Sequence, residues 1–334
     1  MMERDLPLGL AEASEAAQAI APERPDAARA EFGQAVLAGL ARSPRALPCR
    51  FFYDATGSAL FEAITELEEY YPTRVETALL ETHGPEIASL MGEGRVLVEF
   101  GSGSSRKTSL LLAALNRIAL YIPIEIAGDS LAEAAAWLAA RHEGLAVRPL
   151  IADFTKTRAL PVIARGRRKL GFFSGSTIGN LSHDEARGFL GNAARLLGRG
   201  SAFLIGVDLK KDPTILLPAY HDSRGITAAF NLNLLARINR ELDGDFDLDR
   251  FAHHVLYDAS QGRIEMHLKS LGRQVVRVLG ERFSFAKGER IHTENSHKYS
   301  VEEFQALARS AGWSVVEAWT DDDRLFSLHL LRRD

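Results

Sequence analysis

The segment VLVEFGSGSS, residues 96–105, constrains this chain more than any other, because it joins an apolar run, an acid and a Gly-Ser-Gly turn. Val96, Leu97 and Val98 suit a buried strand, with Glu99 near its carboxyl end. Gly101 and Gly103 permit a turn that a ligand can approach at the backbone, and Ser102 stands between them. Lys107 to Leu115 reads as a helix whose first amides point towards the turn. Strand, glycine turn and helix in that order describe a nucleotide pocket, although a plain tight turn uses glycine in the same way.

Similar units repeat around this segment. Strand 95–100, helix 106–118, strand 121–126, helix 130–141, strands 147–152 and 170–174, helix 183–197 and strand 201–208 follow one another. This is the grammar of an α/β fold with a parallel sheet wrapped by helices. After Asp208 the pattern changes: 215–242 is largely helical, and segments such as RQVVRVL and RFSFAKGERI within 254–291 alternate as antiparallel strands do. A helix over 300–311 and the strands GWSVVEAWTD and LFSLHLL then close the sheet with an antiparallel hairpin. The expected organisation is a sheet domain of residues 28–210 and 298–334, interrupted by an inserted α+β domain over 211–297. A ligand cleft is expected where the insert meets the carboxyl edge of the sheet. Residues 1–27 read as a mobile leader, and helix 28–41 as an entry helix packed on the sheet domain.

Bulk composition narrows the function. At 334 residues and 46% hydrophobic content, the chain can bury a substantial core. Forty-four acids against 40 bases leave a net charge of -4, so no global field draws it to nucleic acid or to an anionic membrane. Cys49 is the sole cysteine, which excludes an internal disulfide and a cysteine-rich zinc site and suggests a packed thiol. The first residues match no signal or transit peptide, and no run of about 18 uncharged apolar residues could span a bilayer. A cytoplasmic monomer acting on small molecules is expected, with no metal. His253 with His254, and His292 with His297, lack ligand spacing.

Several residues could carry chemistry. Glu125 ends the second strand, 24 residues after Gly101, where an acid can accept ribose hydroxyls; Asp129 is a rival for that role. Asp153 and Phe154 follow the third strand, where a carboxylate could take an adenine amino group and a ring could pack beside the base; a helix cap and a core Phe are the plain alternatives. Lys107 could reach a ligand carboxylate or be a solvated charge. In GFFSGSTIGNLSHDE, Gly175 and Gly179 permit close backbone approach and Asn180 offers a donor and an acceptor, while Ser182 with Glu185 fits a capping box. Arg106 stands where the dinucleotide fingerprint wants its third glycine, which argues against a nicotinamide dehydrogenase. The E-x-G-x-G pattern resembles instead motif I of S-adenosylmethionine-dependent methyltransferases.

From about Cys49 to the carboxyl terminus the chain resembles the L-histidine N-alpha-methyltransferases of ergothioneine biosynthesis. FFYDATGSALFEAITELEEYYPTR, VEFGSGSSRKT, YIPIEI, GFFSGSTIGNL, AAFNLNLLARINREL and IHTENSHKY carry the resemblance. It implies a Rossmann-like class I methyltransferase sheet with an inserted substrate-binding domain, and S-adenosylmethionine as the methyl donor. The implied donor site comprises Glu99, Gly101, Ser102, Gly103, Lys107, Glu125, Asp153 and Phe154, with Glu125 standing where the family usually has Asp. The implied amino-acid site assigns Asn180 and Tyr220 to the substrate carboxylate and Glu294 with Ser296 to the imidazole. Met266 lines the ring pocket, Gly175 borders it, and Tyr53 and Tyr70 hold the amine or shape the mouth. Tyr53 and Asn180 are the residues expected to act in catalysis. The implied product is the trimethylated betaine hercynine. The alternatives are an N-methyltransferase of another small amine and a non-catalytic histidine-binding protein.

Overall fold

The computed structural model describes residues 25–334 apart from Ser104, Asn116, Ala119 and Ala127, and leaves the side chains of 25, 26, 128–130 and 133 undescribed. The expected leader therefore falls outside the described residues up to Arg24, as does the side chain of Asp129.

The chain opens with α1 (Pro25–Ala41), β1 (Arg45–Ala46), α2 (Ala55–Thr65) and α3 (Tyr71–Met91). Alternating elements follow: β2 (Val96–Phe100), α4 (Arg106–Ala114), β3 (Leu120–Glu125), α5 (Gly128–Arg141), β4 (Ala146–Val147), β5 (Leu150–Ile151), β6 (Lys169–Phe173), α6 (His183–Leu197) and β7 (Ala202–Asp208). Next come α7 (Pro213–Tyr220), α8 (Ile226–Glu241), β8 (Phe251–Asp258), β9 (Arg263–Ser270), β10 (Gln274–Val278), β11 (Glu281–Phe285) and β12 (Arg290–His297). The chain closes with α9 (Val301–Ser310), β13 (Ser314–Thr320) and β14 (Phe326–Arg332).

The main sheet runs β13-β14-β7-β6-β2-β3-β4, with β5 also paired to β3. Its middle pairs are parallel, whereas β14 lies antiparallel between β7 and β13. This is the Rossmann-like class I methyltransferase order, with the antiparallel hairpin at one edge. Every residue of β2 and of β7 is buried, as expected for strands with helices on both faces. Phe189, Leu190 and Phe304 of α6 and α9 join the core on one face; Leu79, Leu80 and Ile87 of α3 join that on the other. The single strand expected over 147–152 is broken into β4 and β5, because the backbone amides of Arg148 and Ala152 reach β3 at separate points and leave a gap between.

A second core gathers around the sheet β1-β12-β9-β8 and the β10–β11 hairpin. The expected boundary needs correcting here. Phe32, Val36 and Leu40 of α1, with Phe52 and Ile64, pack against Leu234, Ile238 and Ile291. Strand β1 runs parallel to β12, and Leu47 N–H donates to the carbonyl of His292. Residues 25 to about 70 thus complete the unit formed by 211–297 instead of packing on the main sheet, and α3 leads the chain out of one core into the other. An apolar stripe at helical spacing announces that a helix is buried; it does not name the surface that buries it. No helix among the described residues is long and apolar enough to cross a membrane.

Candidate active site

The carboxyl ends of β2, β3 and β6 present the turns singled out from the sequence. Gly101 adopts φ +80°, a left-handed conformation that favours glycine. A Cβ built there would lie 3.6 Å from the Phe154 ring and 4.0 Å from Glu125 Oε2, so the turn, the acid and the ring lie side by side. Ser102 Oγ is buried beside it with no hydrogen-bond partner among the described residues. A glycine backbone flank, a carboxylate, a ring and an orphan hydroxyl fit an adenosyl ligand. Gly103 continues the turn at φ +46°.

Other residues expected at the donor site are committed within the protein. Glu99 lies fully buried beneath the turn, accepting hydrogen bonds from Thr108 Oγ1 at 2.6 Å and from the Tyr121 hydroxyl. Burial pushes its pKa up to about 8 against those bonds. It braces β2 against β3 and α4, so its expected place among the donor contacts becomes a supporting one. Lys107 Nζ donates to Glu76 Oε2 at 2.6 Å, and the Gly175 N–H donates to both oxygens of the same carboxylate at 2.8 Å. The ammonium keeps two further N–H groups for a ligand. Asp153 Oδ1 accepts from the amide and hydroxyl of Thr155, while Oδ2 stands 3.3 Å from Lys156. These bonds overcome burial and hold its pKa below the usual carboxylate range.

The second half of the site comes from β12 and the turn after β6. Gly179 lies so close to β12 that a Cβ would fall 2.6 Å from the His297 carbonyl oxygen; glycine lets the helical turn Thr177–Asn180 rest on that strand. Asn180 Nδ2 is thereby brought 3.5 Å from Glu294 Oε2. A register shift between His292 and Glu294 places Glu294 opposite Met266 and Ser296 opposite Ile264, turned to the buried face of the sheet. Glu294 is 8% exposed, and burial raises its pKa to about 7 despite Lys298.

Ser296 Oγ and the Tyr220 hydroxyl lie 2.7 Å apart. Lys298, a buried cation that sequence reasoning did not single out, donates to Ser296 Oγ and to Tyr220 at 2.8 Å and to Asp208 Oδ2 at 2.5 Å. Tyr71 and Lys211 complete the cluster on Asp208. Burial works against the Asp208 charge, but Lys298 and Lys211 outweigh it and hold the carboxyl below its ordinary range. Lys298 sits two residues after Ser296 in the ENSHKY string, and that proximity was the available signal. Glu76, one helical turn after Pro72 on α3, carried none.

Tyr53 caps the short helical turn Cys49–Phe52 before α2. It is 36% exposed, and its ring packs edge-on to Phe61 and Phe230. Its hydroxyl is raised well above the usual phenol range, by burial first and then by Glu294 and, among others, Tyr70 and Glu125. Tyr70 is raised in the same direction by burial and by Tyr220, Glu294 and Asp208. Cys49 packs at the edge of the second core, where burial pushes its pKa up to about 12 and disfavours the thiolate. Among the described residues no group of three or more His, Cys, Asp or Glu side chains is placed to hold a metal ion.

Comparison with known proteins identifies the family. The chain is 42% identical over 313 residues to the histidine N-alpha-methyltransferase of Mycolicibacterium smegmatis, covering 92% of this chain and 97% of that one. It is 40% identical over 310 residues to the histidine N-alpha-methyltransferase of Mycobacterium tuberculosis, covering 91% and 96%. Ergothioneine biosynthesis protein 1 of Neurospora crassa is 33% identical over 301 residues, 87% of this chain and 33% of that longer protein. Residues 32–333 match the model of the histidine-specific, S-adenosylmethionine-dependent methyltransferases, and the chain belongs to that family.

Proposed function

We propose that the protein transfers methyl groups from S-adenosylmethionine to the alpha-amine of L-histidine, through mono- and dimethyl intermediates, to give hercynine for ergothioneine biosynthesis. One observation carries the reading: Asn180, from the main sheet, and Glu294, from the second unit, meet at 3.5 Å.

When bound, the sulfonium supplies an already activated methyl group, so the residues of this chain have mainly to aim a neutral amine at it. Gly101, Glu125 and Phe154 receive the adenosine, Asp153 the base, and Lys107 the carboxylate of the donor. Glu294 accepts an imidazole N–H, and Asn180 holds the amino acid from the opposite wall. Holding nucleophile and methyl at about 3 to 3.5 Å in line recovers several kcal/mol of the barrier. The amine must lose its ammonium proton first, because a protonated nitrogen has no lone pair. Tyr53 stays a neutral phenol at physiological pH, given the direction of its shift. It therefore orients the amine by hydrogen bonding and leaves the proton to water at the mouth. The site must accommodate added methyls, which few and replaceable amine contacts allow.

The test is mass spectrometry of histidine incubated with the protein and S-adenosylmethionine. Successive methyl additions on the alpha-nitrogen are expected, with phenylalanine and leucine refused because they offer no N–H to the buried Glu294, whose one bond is the 3.5 Å contact from Asn180, at a cost of about 1 to 3 kcal/mol. An unchanged histidine mass would remove the reading in favour of a binding protein. Methylation of a different amine would redirect it to another acceptor.

A further inference from the structure

Three stretches of chain pass between the two cores, at Tyr70–Tyr71, at Asp208–Lys211 and at Lys298–Tyr299. One carboxylate gathers all three, since Asp208 accepts from the Tyr71 hydroxyl, from Lys211 and from Lys298. Beside it the Lys210 amide donates to the Tyr299 carbonyl, and the Tyr299 amide to that of Asp208. The units are pinned together there. Segment 50–66, which carries Tyr53 and α2, is fastened to the second unit: Asn233 and Arg240 of α8 donate to Asp54, Arg237 donates to the Phe51 carbonyl, and Phe52 and Phe61 pack on Phe230. It reaches the main sheet domain through charges at its two ends. Glu66, closing α2, receives Arg106 at 3.0 Å, where α4 leaves the glycine turn. At the other end Arg50 meets Glu31 of α1 at 3.1 Å, and Glu31 meets Lys156 at 3.3 Å; Lys156 in turn stands 3.3 Å from Asp153. One contact borders the turn of Gly101 and Gly103 and the other borders Asp153, so the two flank the residues expected to hold the donor.

We propose that the pairs Glu66–Arg106 and Glu31–Lys156 form an ion-pair latch, which holds segment 50–66 across the donor site and sets the rate at which the spent donor leaves. This rests on the donor-site reading above and adds its regulation. A product built in several transfers needs the spent donor to depart after each one, so the closure has to break as readily as it forms. Exposed pairs meet that requirement, because each is weak and is screened by salt. The four side chains are between 43% and 70% exposed. The pin is of the opposite kind: Asp208 and Lys298 are both fully buried, where salt screens little. Ionic strength therefore acts on the latch and leaves the pin intact. Because the segment is held at both ends, either pair alone still restrains it, and full release requires the loss of both.

Release of radiolabelled S-adenosylhomocysteine, chased with excess unlabelled ligand, measures the rate. This ligand carries no net charge at neutral pH, so salt acts mainly on the protein. In the wild type the dissociation rate should rise roughly three- to tenfold between about 0.05 and 0.5 M potassium chloride. In Glu31→Gln combined with Glu66→Gln it should be raised by a similar factor at low salt already and should no longer respond to salt. Exchanging the charges of one pair, Glu66→Arg with Arg106→Glu, should restore slow release relative to Arg106→Glu alone, in which two carboxylates face each other. A Gln double variant that keeps the wild-type salt dependence would overturn the latch whatever its rate at low salt, and so would a charge exchange that recovers nothing. A wild type that fails to bind S-adenosylhomocysteine would instead remove the donor-site reading itself.

Discussion

The buried carboxylate of Glu76 receives Lys107 Nζ at 2.6 Å, and through it α3 is tied to the first turn of α4. The same carboxylate accepts the Gly175 amide, so one side chain sets both the Lys107 ammonium and the turn that leads to Asn180. Glu76→Ala would leave the Gly175 N–H buried without a partner and free Lys107 to move. A loss of about 1 to 3 kcal/mol in stability is expected, with weakened binding of both ligands. Thermal unfolding and calorimetric titration check it; unchanged values for donor and histidine alike would contradict the bridging role.

Substitution at Gly101 separates ligand approach from fold. Alanine at φ +80° costs roughly 1 to 2 kcal/mol, and its methyl would lie against Phe154 and beside Glu125. Gly101→Ala should fold with a modestly lower melting temperature and bind the donor at least roughly tenfold more weakly, because the added methyl stands beside Phe154 and Glu125 where the adenosine is expected. Equal affinity in wild type and variant would move the donor elsewhere.

Glu294 gives stability a pH dependence of known sign. Its folded pKa of about 7 lies above the ordinary 4.5, so its contribution is fully present below pH 4.5 and is lost as pH rises to about 7. The shift corresponds to at most about 3 kcal/mol. Glu99, raised to about 8, acts in the same direction. His253, His267 and His297, held near 4 by burial, act oppositely and lose stability as pH falls from 6.5 towards 4. The difference between wild type and Glu294→Gln, measured by urea unfolding from pH 4.5 to 7.5, isolates the one carboxylate. The stability of the ligand-free wild type should fall relative to the variant as pH rises, and a flat difference would show that Glu294 is hydrated.

The two half-sites should also separate in binding. Glu294→Ala is expected to weaken histidine far more than the donor, and Asp153→Ala the reverse, since the first group lies on β12 and the second beyond β5. Titrations with each ligand test this, and parallel losses in both variants would show that the division is wrong.

Much of this was legible in the sequence because the relevant signals are local. The run from Val96 to Phe100, its glycine turn and helix, and the reciprocal capping box of Ser182 and Glu185 all appear where the pattern predicted them. The order of strands follows from alternation and the closing hairpin. What escaped depends on partners distant in sequence. Helix α1 has an apolar stripe that would suit either core, and only the pairing of β1 with β12 decides between them. Glu76 resembles any helical glutamate until β6 delivers Gly175 to it, 99 residues away. Lys298 resembles a solvated charge until Asp208, 90 residues earlier, neutralises it. Glu99 was legible as important, but its partners Thr108 and Tyr121 turn its carboxylate inward, which spacing does not reveal.

The most direct test is a crystal structure of the protein with S-adenosylhomocysteine and histidine together. It should show the adenosine over Gly101 between Glu125 and Phe154, the imidazole between Glu294 and Ser296, and the alpha-nitrogen facing the sulfur near Tyr53. An imidazole lodged away from β12, or an amine turned from the sulfur, would contradict the account.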